Sequence, residues 1–600
     1  MTTHSHLSRR ELLGMGAVAA AGLAVPTPVW LPANAAVGVP NEFTGATALR
    51  LGMHVHGSWS EGLGSWEAQF AQAASYGLDV LYLTDHDFRA TATNYLTSLA
   101  GVTWVRATTG ALAQQASTAN GGAIRLLAES SAAATAASVT MSIQPQPQAF
   151  NRLRTSIAGQ TLEHTVTSMR LTTGARYEVV VPLSYHPAIA GRPAGAYQLV
   201  YRFGAGSGRW TENGGLTGVV GLPTAAARSV QRLSPEADVA LIWPTMLASD
   251  NAMYGVSFVA KSPKKGAVAD ISVAGVRFLR TQNAPAAITA NQARLISTYQ
   301  PQFPNLTVRS TTEISKSLPD MNPFGIPQYF PDYAHLPGSS DAWHPAVVSD
   351  VHARGGLISW NHPFGYNTGP LLAPADRDIK RRQLFQSMMA VQHFGVDILE
   401  VGYRLRGNVD AATHIALWDT FSRNGTFLTG NGTSDDHSGQ NWKNLSNGFA
   451  TGVWAASRSD ADLLASLAAG RAFAAHFGLW PGGETDLLVD GAVRMGSVSV
   501  ATKATRSLAI WASALPSGAS VQLVSGPVDY TAAVDPGTVV VRTMAASAFS
   551  AGVATVSVDT STSRFYRVQV LAADGTLIGC GNPVWLLRSA PPGGIPPARR

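Results

Sequence analysis

Four short segments of this chain concentrate side chains that bind metal ions: His54-Val55-His56, Thr84-Asp85-His86-Asp87, Asn361-His362-Pro363 and Ser434-Asp435-Asp436-His437. Imidazole and carboxylate suit Zn, Mn and Fe, and a cluster of such ions generates hydroxide from water at neutral pH. The single cysteine, Cys580, excludes a multi-cysteine zinc site and an intramolecular disulfide. Any metal is therefore held by His and carboxylates. Residues two apart on a strand point the same way, so His54 and His56 can converge on one ion. Asp435 and His437 can do the same if their segment is extended, with Asp436 then facing away.

Ligands of this kind need rigid elements behind them. Residues 49–55 alternate as a strand. Ser65 then caps a helix with Glu67 in its first turn and Trp66, Phe70, Ala73 and Gly77 on one face, and residues 78–84 form a second, apolar strand. Strand, helix, strand is the unit of a parallel sheet or barrel that gathers ligands at strand C-terminal ends, so the expected fold class is α/β. The same order resumes downstream: a strand at 356–360, a helix at 382–394, a strand at 397–402, a helix at 411–423 and a strand at 427–429. Residues 45–119 and 283–480 thus read as two parts of one catalytic domain. Between them, residues 120–282 read as an inserted β-sandwich, with strands at 177–183, 196–203, 239–243, 254–260 and 273–279 parted by Gly, Pro, Asn and Ser turns. After a helix at 460–469, strands at 520–524, 539–542 and 565–571 suggest a small C-terminal β domain over 485–590.

A chain of 600 residues exceeds one compact core, and 46% hydrophobic with 13% charged residues is the composition of a folded protein. The formal charge is +6, but Lys and Arg are scattered, which speaks against nucleic-acid binding. Residues 1–35 read as a signal peptide. Ser8-Arg9-Arg10-Glu11-Leu12-Leu13 opens an apolar stretch, and Ala33-Asn34-Ala35 supplies a small-x-small cleavage site. The paired arginines resemble a twin-arginine signal, which implies export of a folded protein by that machinery to the cell envelope, periplasm or exterior, with no stable membrane anchor after cleavage.

At the level of motifs the chain resembles the polymerase and histidinol phosphatase (PHP) superfamily, and within it exported proteins of the CehA/McbA type, over residues 45–90 and 290–480. His54-Val55-His56 followed by Ser60-Glu61-Gly62 stands for the first motif, where the family has Ser-Asp-Gly, and Thr84-Asp85-His86-Asp87 for the second. Thr312-Glu313-Ile314-Ser315 matches the segment of a metal-bridging glutamate. Asp320-Met321-Asn322-Pro323-Phe324-Gly325 stands where the family has His-x-Asn-x-x-Gly, and His362, Asp435 and His437 complete the set. The resemblance implies a distorted (β/α)7-type PHP barrel holding two or three divalent ions, Mn, Zn or Fe. One ion would be held by His54, His56, Glu313 and Asp435, a second by Glu313, His362 and Asp320, and a third by Glu61, His86 and His437. Glu61 in place of Asp keeps the charge on a longer arm. Asp320 in place of His favours a harder ion such as Mn or Mg. His335 or His344 are alternative ligands.

Supporting roles fall to fewer residues. Asp87 either orients His86 or caps the next segment. Glu400, at a strand end, is either a carboxylate that orients a ligand or part of a buried ion pair. Of Arg404 and Arg406, one binds a substrate anion or both are surface charge. No Gly-x-Ser-x-Gly elbow is present, so metal-dependent hydrolysis is the expected reaction. The resemblance implies a phosphate mono- or diester substrate first, and a carbamate, amide or carboxylic ester second. The substrate would be a small-molecule or glycan-linked ester. A third reading is a glycan-binding envelope protein with a degenerate barrel, using Trp210, Tyr185 and Tyr201 as a stacking surface.

Overall fold

The Thr47–Gly52 strand is the pivot of the computed structural model, which describes residues 45–600 apart from 92–94, 97–103, 108–110, 118–122, 131–135, 144–154, 190, 327, 368 and 443–446. The expected signal segment at 1–35 lies outside the described residues. Thr47–Gly52 pairs in parallel with Val80–Leu83, and that strand in parallel with Thr307–Ser310. Between the first two strands runs the helix Trp66–Ser75. Its N-cap Ser65 accepts a hydrogen bond from the Ala68 amide at 3.0 Å, and Trp66, Phe70 and Ala73 are buried on its inner face.

A second sheet carries Leu357–Trp360, Ile398–Gly402 and Thr429–Gly432 in parallel, edged by the antiparallel Met321–Phe324. One apolar cluster, including Leu51, Val80, Phe324, Ile398 and Val453, packs the two sheets against each other. The hydrogen bonding does not close these strands into the expected seven-unit barrel. At one seam Gly432 bonds through both backbone groups to the Thr451 hydroxyl instead of to a neighbouring backbone, and at the other a single bridge joins Ile314 to Met321. The architecture is rich in strands and mixed in direction, with helices Ser340–Ala353, Pro374–Ala390 and Ala411–Arg423 between the strands of the second half.

The insert is a sandwich of a seven-stranded and a six-stranded sheet. Ile124–Ser130 and Ala137–Ile143 alternate strictly between buried and half-buried positions, the signature of strands with one face on a core. That core includes Leu126, Met141, Tyr177, Leu199, Phe258 and Ile271. The sheets also take in Tyr95–Leu96 and Trp104–Ala107, ahead of residue 120. Residues 239–243, expected as a strand, are the end of the helix Pro235–Ile242 and its C-cap Trp243: Pro235 opens its first turn and Glu236 and Asp238 follow, a helix start that outweighs the short apolar run.

The C-terminal strands are not a separate small domain. Phe449–Ala455 pairs antiparallel with Thr47–Gly52 and with Ala472–His476, and the latter pairs with Leu577–Gly581 through Ala474 and Cys580. The first sheet thus runs on into Arg564–Leu571, Ser520–Pro527 and Val539–Ala545. A four-stranded sheet built on Glu484–Val489 and Thr505–Ser513 covers it across a core that includes Trp454, Phe473, Ile510 and Val568. The described residues from 45 to 600 fall in one compact unit. Among the described residues no helix is long and apolar enough to cross a membrane.

Candidate metal centre

The motif segments meet just beyond the C-terminal ends of the parallel strands. The His56 amide donates to Asp436 O at 2.8 Å and the Asp435 amide to His54 O at 2.9 Å, while single bridges join Val55 to Asp436 and His86 to Glu313. These contacts extend the ladder past the strand ends and bring five imidazoles and their carboxylates into one buried cluster. His54 Nε2 lies 3.1 Å from His56 Nε2, and both face Asp435 Oδ1, at 3.4 and 3.2 Å. Glu313 sits between the histidines: Oε1 is 3.3 Å from His54 Nε2 and 3.2 Å from His362 Nε2, and Oε2 is 3.1 Å from both His56 Nε2 and His86 Nδ1. Glu61 Oε1 lies 2.7 Å from His86 Nε2 and 3.4 Å from His437 Nε2. The His56 ring stacks against His86 and His437, with centroids 4.7 and 4.3 Å apart.

Three groups in this cluster could each hold an ion: His56 with Glu61, His86 and His437; His54 with His56 and Asp435; and His54 with Glu313 and His362. The hydrogen bonding fits that use. His54 Nδ1 donates to Glu400 Oε1 at 2.8 Å, so in the neutral ring Nε2 carries a lone pair aimed at carboxylate oxygens. Lone pair against carboxylate is repulsive unless a cation or an extra proton lies between. Glu313 Oε2 likewise has two ring nitrogens at 3.1 Å and no hydrogen bond.

The electrostatics point the same way. Burial pushes the His54 imidazole down, but Glu313, Glu400 and Asp435 outweigh burial and hold it well above its ordinary value. His56 is likewise lowered by burial yet raised to about 10 by Asp435 and Glu313, and His86 is raised by Glu61 and Glu313. Glu61 and Asp435 are held well below the carboxylate range, against the upward push of burial, chiefly by His86 and Arg89 for the first and by Arg406 and His54 for the second. Around the cluster Glu61, Glu313, Glu400 and Asp435 outnumber Arg89 and Arg406, and protons on the imidazoles or bound cations make up the balance.

The backbone is unusual at two candidate ligands, and at one of them it departs from the sequence expectation. Asp435 has φ +49° and His362 φ +25°, a region that L side chains rarely adopt. The Asp435 segment is therefore not extended. The bend brings His437 Nδ1 to 2.9 Å from Asp435 O and 3.6 Å from Asp435 Oδ1. Asp436 does face away, accepting from the Ser438 and Gly439 amides and Trp442 Nε1.

Asp320 stands at the edge of the cluster, 3.5 Å from His362 Nε2, and belongs to none of the three groups; burial and Glu313 push its carboxyl up to about 6. His335 is largely exposed beside Asp332, and His344 is buried against Trp343 and Phe394 with Nε2 3.2 Å from Pro319 O, so neither replaces it. Asp87 does not touch the His86 ring. It accepts from the Phe88 and Ser315 amides and from the Tyr333 hydroxyl, and Ser315 Oγ in turn lies 2.7 Å from His86 Nδ1. Glu400 reaches the candidate ligands directly: beyond His54 it accepts from the His362 amide at 2.6 Å and from the Tyr403 hydroxyl.

Arg404 lies apart from the cluster. It is exposed and lines an outer groove with Asp410, Arg567 and Gln569. Arg406 is the buried cation, paired with Asp435 Oδ2, because the hairpin of Leu405–Arg406 with Val409–Asp410 turns it inward. The stacking surface of Trp210, Tyr185 and Tyr201 is not formed either. Tyr201 is in the sandwich core, Trp210 donates to Glu212 beneath the Arg202 guanidinium, and the Tyr185 backbone pairs with Leu63 and Ser65.

Sequence reasoning missed what braces the loop carrying Glu61. Asp250, from the insert, accepts from Ser58 Oγ at 2.6 Å and from the amides of Trp66 and Glu67 at 2.7 and 3.0 Å. Glu67 is paired with His186 and Arg192 of the insert, and the Tyr254 hydroxyl donates to Gly62 O. Outside the insert, Asp85 accepts from the Gly57 amide, Ser60 Oγ and Trp66 Nε1. The acid in Thr84-Asp85-His86 thus shapes the loop rather than facing the cluster.

No family model matches the chain, and no curated protein is similar to it. Among solved structures it is similar to a two-domain protein from Bacteroides vulgatus containing a predicted PHP-like metal-dependent phosphoesterase, at 13% identity over 50% of this chain and 78% of that one, with a TM-score of 0.22. It is also similar to the catalytic domain of Humicola grisea Cel12A, at 14% identity over 31% of this chain and 90% of that one, with a TM-score of 0.19. A family 12 xyloglucanase from Bacillus licheniformis matches at 8% identity over 32% and 94%, with a TM-score of 0.18. At such TM-scores none of them establishes the fold of this chain.

Proposed function

We propose that this protein is an exported metal-dependent hydrolase that cleaves phosphate mono- or diesters, its two facing sheets a distorted PHP-type barrel. The observation that carries the reading is the approach of His54 Nε2 and His56 Nε2 to 3.1 Å, both facing Asp435 and Glu313 in a buried, carboxylate-rich site. Two or three divalent ions, Mn, Zn or Fe, would be held by His54, His56 and Asp435, by His54, Glu313 and His362, and by His56, Glu61, His86 and His437. Ions bound there supply the charge that acidifies water and offsets negative charge gathering on the scissile group. The chain's own residues fix the geometry. Glu400 holds the His54 tautomer, Arg406 occupies Asp435 Oδ2 and leaves Oδ1 facing inward, and Arg89 Nε, 2.9 Å from Glu61 Oε2, leaves Glu61 Oε1 to the histidines. Export is supported by Arg9-Arg10 and Ala33-Asn34-Ala35.

The test is hydrolysis by the chain from Ala36 onward, loaded in turn with Mn, Zn and Fe. The substrates are matched p-nitrophenyl phosphate mono- and diesters, carboxylic esters and aryl carbamates, and bound ions are counted on the same sample. Phosphate turnover with two or three ions is expected. Turnover of the acyl substrates alone would replace the reading with a carbamate or carboxylic ester hydrolase, and no turnover with no ions would end it.

A further inference from the structure

The strand Val539–Ala545 ends the first sheet. It pairs with Ser520–Pro527 on one side, and among the described residues nothing pairs with its other edge. Its first three residues are valines in solvent, Val539 54%, Val540 51% and Val541 41% exposed. One exposed valine is ordinary, but three in a row on an open edge form an apolar patch that association would bury. The patch runs into a groove of about 600 Å³ between this end of the sheet and the helix Ala411–Arg423, a volume in the range of specific binding sites. Ile415 and Ala416 line it from the helix, and Val524, Val540, Leu571 and Leu577 from the sheet.

Charge tells what fits there. Two carboxylates line the groove and both are taken, Asp410 by Arg377 and Asp419 by Arg567 at 2.7 Å, while Arg567 Nη1 donates to Gln569 at 2.8 Å. Arg404 lines the same groove, is exposed, and forms no ion pair or hydrogen bond among the described residues. Its field reaches the exposed Asp574, whose carboxylate accepts from the Thr576 amide at 2.9 Å. The unspent charge of the groove is therefore positive, beside apolar walls. A second copy of this chain fits it poorly, because a two-fold contact sets a patch holding Arg404 and the exposed Arg542 against itself. The ladder also slips at Val541, between Val540 opposite Val524 and Arg542 opposite Leu523, and a bulge with a charge beside it blunts an edge against pairing with its like.

We propose that this groove docks an extended acidic segment of another protein, with apolar side chains against Val539, Val540 and Ile415 and a carboxylate on Arg404. The docking site is independent of the hydrolase reading. The test is selection of a random nonapeptide display library on the immobilised chain from Ala36 onward, as wild type, Arg404→Glu and Val540→Lys, followed by fluorescence-anisotropy titration of the selected peptide. The wild type is expected to enrich apolar residues with Asp or Glu at a fixed position. Arg404→Glu should enrich Lys or Arg at that position and bind the wild-type peptide about ten- to hundredfold more weakly, the range of a hydrogen bond to a charged group. Val540→Lys should also weaken that peptide, with circular dichroism and bound ions unchanged in both variants. No enriched sequence on the wild type, or the same acidic sequence on Arg404→Glu, would overturn the docking site. Sedimentation of the wild type alone tests the competing occupant. A monomer is expected, and a dimer that Val540→Lys dissociates would give the patch to a second copy and overturn the proposal.

Discussion

Glu400 accepts hydrogen bonds from His54 Nδ1, the His362 amide and the Tyr403 hydroxyl, so one carboxylate sets the tautomer of one ligand and the backbone of another. Glu400→Gln keeps the shape but loses the charge that holds the His54 proton. It should weaken ion binding by about 10- to 100-fold with the fold intact, read by chelator competition and circular dichroism. The raised imidazoles give a second expectation. His54, His56 and His86 hold protons that an incoming ion must displace, so affinity should rise with pH toward the His56 value of about 10 and fall as the solution is acidified. Calorimetry in buffers of different ionisation enthalpy reads the released protons; ion uptake without release would sink this account. Asp320→His should shift preference from Mn toward Zn, and an unchanged metal profile would show that Asp320 is not a ligand. At this scale the ligand types and their order were readable from the chain, because imidazole and carboxylate spacing carries the chemistry. Arg406 against Arg404 was not, since the hairpin that turns one inward is a fact of tertiary structure, and neither was the left-handed backbone at Asp435.

The loop between the first strand and the helix Trp66–Ser75 holds Glu61 and is clasped by two carboxylates, Asp85 after the strand Val80–Leu83 and Asp250 from the insert. Asp250→Ala would leave the Trp66 and Glu67 amides and Ser58 without their acceptor. It should destabilise the protein by about 2–4 kcal/mol and lower occupancy of the group containing Glu61 before the others. Chemical denaturation and ion counting check both halves, and a full ion complement in a stable variant would refute the clasp. Deleting the sandwich should abolish ion binding rather than merely alter substrate scope. Strands and helices on either side of the insert were legible because their apolar periods are local, as for Ala411–Arg423, which begins at its Asp410 cap. The bond from Trp66 to Asp250 spans 184 residues, and no local pattern announces it.

Across the whole molecule the first sheet passes without interruption from the strand that precedes His54 to the C-terminal strands, and side chains fasten what the ladder does not. Asn582 bonds to both backbone groups of Gly430, and Arg567 grips Asp419 of the Ala411–Arg423 helix through two bonds of 2.7 and 2.8 Å. Arg567→Met would strand a buried carboxylate and should cost about 3–5 kcal/mol, measured by denaturant titration. A single calorimetric transition is expected for the described body, and two well-separated ones would show that the C-terminal strands fold alone. The C-terminal β strands were readable as strands, but not as the far half of the sheet that begins at Thr47–Gly52, because edge pairing leaves no mark on a sequence. This continuity has a consequence for the order of synthesis. Candidate ligands run from His54 to His437, and the strand before Asp435 is braced by Asn582, so a nascent chain still on the ribosome carries its first histidines long before it has a site to put them in. Metal capture is thereby deferred to the finished polypeptide, and a prematurely terminated product has no working centre to misuse.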